Sequence, residues 1–113
     1  MSKDQVESID KAIAKDKAQI ERGKALDRLR LNKDFQTIVE QGYFKDEAVR
    51  LVSALADAGM QRPEQQTSIR RQMDGVSFFQ DYLHTVDTIR RMAEGNLDAN
   101  ESYREELLAG DVE

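Results

Sequence analysis

The chain has no cysteine, no tryptophan, one histidine and one proline among its 113 residues. Without cysteine there can be no disulfide, thiolate metal site or thiol nucleophile. Four Phe and three Tyr are the only aromatics, so the core is expected to be mainly aliphatic. No run approaches the roughly 20 apolar residues of a membrane-spanning helix. The opening Met1-Ser2-Lys3-Asp4-Gln5 lacks the apolar stretch of a secretion signal. The expectation is a soluble protein that is not secreted. No segment sustains the two-residue alternation of a strand, and there is no internal repeat or low-complexity tract.

What is present is charge and aliphatic periodicity. Charged residues make up 35% and hydrophobic residues 39%, with a net charge of −5. Residues 1–33 are net basic, residues 34–93 mildly acidic, and residues 94–113 carry only Arg104 against seven acids. The chain therefore runs from basic to acidic. A chain of this length forms one domain at most, and several helices must share a modest core.

Helix signals divide the sequence. Val6, Ile9, Ile13 and Ile20 follow the three-four spacing of a coiled-coil seam, which then falls on Asp16 and Gly23. So thin a stripe predicts an arm (residues 1–31) that is helical mainly when packed on something. Asn32 reads as an N-cap for a short helix Lys33 to Gln41, with Gly42 as its stop. Tyr43 and Phe44 then turn the chain. A second helix is expected from Lys45 to Ala58, with Ala48, Val49, Val52, Leu55 and Ala56 on its stripe and Gly59 closing it.

Pro63 opens the longest predicted helix, about 63–94, with Glu64 at its positive end. Ile69, Met73, Val76, Phe79, Leu83, Val86 and Ala93 form its stripe, widened by Phe78, Tyr82, Ile89 and Met92. At about 1.5 Å per residue this rod is on the order of 48 Å long. The two short helices cannot cover it, so apolar length near Val86, Ile89 and Met92 is left for the first helix or another subunit. Gly95-Asn96 reads as a stop and Asn100 as the cap of a last short helix before an acidic tail. The predicted fold is all-α, a small antiparallel helical bundle or hairpin built on one long helix. Its divisions are an arm (1–31), a helical core (32–95) and a short helix with acidic tail (96–113).

The residues needed for catalysis are missing. His84 has no partner at the spacing of a triad or metal site. Asp46-Glu47 and Glu105-Glu106 are adjacent pairs that point about 100° apart on a helix, so neither converges on one point. There is no Gly-rich phosphate loop, calcium loop or nucleophile elbow. The pairs Arg70-Arg71 and Arg90-Arg91 fall on opposite sides of a helix, unlike a stripe that follows phosphates. The sequence predicts no enzyme, no cofactor, no metal and no specific nucleic-acid site. It predicts protein contacts through Val6, Ile9, Ile13, Ile20, Tyr43, Phe44, Val86, Ile89 and Met92.

A set of short motifs carries a resemblance. They are Asn32-Lys33-Asp34-Phe35, Glu40-Gln41-Gly42-Tyr43-Phe44, Glu47-Ala48-Val49-Arg50-Leu51-Val52, Leu55-Ala56-Asp57, Met60-Gln61, Pro63-Glu64-Gln65-Gln66 and Tyr82-Leu83. Together they resemble small helical proteins encoded near the head and portal genes of tailed bacteriophages. The likeness covers about half the chain, omits the arm, and differs in having Ala58-Gly59 where a proline is common. It implies a structural or head-assembly protein of the virion or host cytoplasm. The partners it implies are a second copy or the capsid, portal or connector. The alternative is a small phage-encoded regulator that binds and inhibits or redirects a host protein.

Overall fold

A computed structural model of the protein describes residues 3–110, and these are helical apart from short connections, with no strand among them. The fold is all-α. In chain order the elements are α1 (Lys3–Leu31), α2 (Lys33–Phe35), a π-helical segment (Gln36–Glu47), α3 (Ala48–Ala56), a 3₁₀ turn (Ala58–Met60) and α4 (Pro63–Gly110). Asp111, Val112 and Glu113 of the expected acidic tail lie outside the described residues.

Helices α2 and α4 begin where side chains satisfy free N–H groups. Asn32 is extended, and its Oδ1 accepts from Phe35 N at 2.9 Å, as an N-cap should. Pro63 sits at the first position of α4, preceded by Arg62, whose backbone N–H donates to Gln65 Oε1 at 3.2 Å. That is half of a capping box. In the connection between them, Asp57 Oδ1 accepts from Gly59 N at 2.8 Å. The Gln61 side chain donates to Leu55 O and Asp57 O, and Gln66 to Met60 O, covering carbonyls left free at and after the end of α3.

Helix stops are where the structure departs from the sequence reading. Gly42 does not end a helix: the chain runs helically through it, with no positive-φ glycine anywhere among the described residues. A Cβ there would lie 3.1 Å from Thr37 O, so glycine serves the tight interior of the π turn. Tyr43 and Phe44 accordingly lie within the helix and not at a corner. Across the π segment and its two flanking residues, the half-buried positions Phe35, Val39, Tyr43 or Phe44, and Ala48 recur every four or five residues. The wider i→i+5 turn keeps that spacing on one side. The second short helix ends at Ala56, with the Asp57 turn replacing the expected stop at Gly59.

The long helix starts at Pro63 as expected but runs 48 residues to Gly110, past Gly95-Asn96. The reason is a three-four row beyond the expected stop. Ala93, Leu97, Asn100, Arg104 and Leu107 are buried or half-buried, so tertiary contact overrides two weak local signals.

The chain divides into two compact units, residues 1–26 with 85–113 and residues 27–84. In the first, α1 pairs antiparallel with the later part of α4. Ile9, Leu26, Val86 and Ala93 are its buried apolar residues, and Val6, Ile13 and Ile20 are half-buried. The two interruptions of the α1 seam are both matched. Asp16, 6% exposed, accepts from Asn100 Nδ2 at 2.8 Å, and Gly23 lies against the Arg90 side chain. Asp10 accepts from Arg104 Nε at 2.6 Å nearer the end.

In the second unit Leu51, Ile69 and Val76 form the buried centre, flanked by Tyr43, Phe44, Ala48, Leu55, Met60 and Met73. Phe79 closes it by stacking edge-on to Tyr43, ring centroids 6.2 Å apart, and tilted on Phe44 at 5.4 Å. Tyr43 Oη covers Gly75, the glycine inside the long helix, at 3.3 Å from the position of an added Cβ. On α3 the inward stripe is Ala48, Leu51 and Leu55. The expected Val49 and Val52 face outward. Both sets obey helical spacing, so periodicity could not choose between them.

Candidate interaction surfaces

The candidate surfaces arise from apolar residues that the two cores leave uncovered. In the second unit Phe78 and Val49 are 69% and 67% exposed, with Ile38, Val52 and Tyr82 similarly open. On α4, Phe78 and Tyr82 continue a three-four row from Gly75, one face away from the Ile69–Val76 core row. On one side of the unit an open groove of about 550 Å³ has Val39, Gly42 and Tyr43 along it and Ile38 at its edge. Asp46, Glu47 and Arg50 supply its polar rim. A smaller hollow of about 190 Å³ lies between Phe44, Ala48 and Val52 and the α4 residues Met73 and Val76.

The rim is electrostatically fixed. Arg50 donates through Nε and Nη2 to the two carboxylate oxygens of Glu47, a bidentate pair one helical turn apart. That hydrogen bonding holds the Glu47 carboxyl below its ordinary range, opposed by desolvation and assisted by the charge of Arg50. The same contact raises Arg50. Gln41 Nε2 donates to Asp46 Oδ1 at 2.8 Å. The groove therefore offers an apolar floor and a carboxylate edge, a surface for another protein's side chains.

The first unit has two unlike sides. One carries Asp10, Lys17, Glu101, Arg104 and Glu105 around a charged groove of about 330 Å³. The other has a groove of about 380 Å³ where Ala12, Ile89 and Met92 lie beside Lys15, Asp16 and Asn100. Asp87 accepts from both Arg90 and Arg91, so this arginine pair is engaged with its own helix.

The nine contact residues read from the sequence separate by environment. Ile9 and Val86 are buried within the first unit, and Val6, Ile13 and Ile20 are half-buried there. Tyr43 and Phe44 are half-buried against the second unit's core. Only Ile89 and Met92 are exposed. The sequence reading overlooked Ile38, Val49 and Val52 as surface residues. The available signal was the second three-four row on α3, one residue out of step with the first. His84 is exposed on α4, and no group of three or more His, Asp or Glu able to hold a metal occurs among the described residues. No helix among them is long and apolar enough to cross a membrane. No protein-family model, curated protein or solved structure matches the chain.

Proposed function

We propose that this protein is a bacteriophage structural or head-assembly protein that acts by helix-mediated protein contacts and not by catalysis. In this reading the paired helices are parts of a small helical bundle whose remaining faces are covered by a second copy or by a capsid, portal or connector surface. The observation that carries it is the balance of the second unit. Ile38, Val49, Val52, Phe78 and Tyr82 are exposed, while the buried apolar residues of the unit are Leu51, Ile69, Val76 and Leu83. Exposed apolar surface of this kind is where partners dock, and aromatics such as Phe78 and Tyr82 supply binding energy there. The motifs between Asn32 and Leu83 support the phage setting. Placement in the virion or host cytoplasm follows from that setting.

The test is quantitative mass spectrometry of purified virions and assembly intermediates carrying the wild-type protein or Phe78→Glu. Phe78 is exposed, so the variant should fold, which circular dichroism checks. A fixed copy number for wild type, and its loss for Phe78→Glu, is expected. Absence of the wild-type protein from both particles and intermediates would defeat the reading. Capture of one stoichiometric host protein instead would support the host-regulator alternative.

A further inference from the structure

Helix α4 carries a second three-four row within the first unit, separate from the one occupied by α1. It runs Thr88, Met92, Gly95, Ala99, Ser102, and every member is exposed. Met92 is 63% exposed, and a Cβ added at Gly95 would meet nothing within 4 Å. Glycine inside a helix costs about 1 kcal/mol relative to alanine, and among the described residues no neighbour of Gly95 requires it.

The residues around Gly95 are arranged in complementary fashion on its two sides. Met92 lies three residues before it and Ala99 four after. Thr88 and Ser102 lie seven before and seven after. Beside the row, Arg91 and Asp98 occupy the same heptad position, one on each side of Gly95. An antiparallel copy of the helix crossing at Gly95 would set Met92 on the partner's Ala99, and Thr88 on the partner's Ser102. It would also place Arg91, whose side chain is 67% exposed while it donates to Asp87 of its own helix, beside the partner's Asp98, twice over by symmetry. A parallel copy would instead lay the acidic stretch Asp98 to Glu106 along its equal.

Resting on the interaction-protein reading, we propose that the occupant of this face is a second copy of the chain. The two α4 helices pair antiparallel about a two-fold axis near Gly95, as an isologous dimer contact. The small residues Gly95, Ala99 and Ser102 allow close backbone approach. The reciprocal Arg91–Asp98 pairs select the antiparallel direction, since opposite charges steer association and like charges oppose it.

The experiment is solution mass by light scattering on the full chain and three variants. Wild type should have twice the 12.9 kDa of one chain. Gly95→Leu should fall to one chain with undiminished helicity, because the added side chain has room in the monomer and none in the dimer. Arg91→Glu and Asp98→Lys should each be monomeric, since each sets like charges together. Mixed in equal amounts, these two should form a heterodimer. The two reversed charges then face each other across one half of the contact, and the unaltered Arg91 and Asp98 across the other half. A wild-type mass of one chain at the highest soluble concentration would overturn the proposal. So would a two-chain mass for Gly95→Leu, or a mixture that stays monomeric. None of these results bears on incorporation of Phe78→Glu into particles, so a failure here is distinguishable from failure of the assembly reading.

Discussion

Asn100 on α4 donates its side-chain N–H to the carboxylate of Asp16 on α1, 84 residues earlier, at 2.8 Å. Asp16 is buried among the apolar residues of the first unit, where an ionised carboxylate without a donor would be costly. A polar pair inside a helical seam fixes register, because a shift by one turn either way would part Asn100 from Asp16 and set it opposite Ile13 or Ile20. The residue that interrupts the α1 stripe thus defines which part of α4 it meets.

Asn100→Ala should destabilise the first unit by about 1–3 kcal/mol, the usual cost of leaving a buried polar group unsatisfied. Asp16→Leu combined with Asn100→Leu should recover most of that loss, since replacing both partners by apolar groups is often neutral. Urea unfolding of the single and double variants checks this. A double variant less stable than Asn100→Ala would refute it.

Gly23→Ala should destabilise the protein although alanine is the better helix former by about 1 kcal/mol. The new Cβ would stand 2.6 Å from Arg90 Cβ, which is tied to the α4 backbone and cannot swing away. Overpacking of this kind costs about 1–3 kcal/mol. Thermal unfolding of Gly23→Ala, Arg90→Ala and the pair measures the coupling between the two positions. Because Arg90→Ala keeps that Cβ but removes Cγ and Cδ, the pair should lose less than the sum of the single changes.

Leu51→Ala should cost about 2–5 kcal/mol, because Leu51 is 1% exposed at the centre of the second unit. Val49→Ala, two residues away on the outer row, should stay within about 0.5 kcal/mol. Denaturant midpoints for the two variants discriminate the inward row from the outward one.

The Glu47–Arg50 pair predicts a sign for acid sensitivity. The folded-state carboxyl of Glu47 titrates below its ordinary value, so the unfolded chain binds the proton more readily. The stabilisation is complete above about pH 4.3, the ordinary glutamate value. It is lost as pH falls through the lowered one. Carbon-detected NMR titration of Glu47 should show the lowered midpoint, and Arg50→Gln should return it towards the ordinary value. A midpoint unchanged by Arg50→Gln would remove the pair as its cause.

The all-α fold, the cap at Asn32, the start of α4 at Pro63 and the aliphatic core were legible in the sequence. Each is set by local chemistry: a side-chain acceptor near free N–H groups, a fixed φ, a repeating apolar step. Where helices stop was not legible, because Gly42 and Gly95-Asn96 permit a break without requiring one. Contact decided those positions. The α1 seam against Ala93, Leu97 and Asn100 carries α4 to Gly110, and the aromatic packing of Tyr43 and Phe44 on Phe79 keeps the chain helical through Gly42. On α3 the sequence offered two apolar rows of equal period, and only packing against Ile69 and Val76 buried the row containing Leu51. The row left outside, and separately Phe78 and Tyr82 on α4, became candidate interaction surfaces. Periodicity determines that a helix has an apolar face, but the neighbour it finds determines which face is covered.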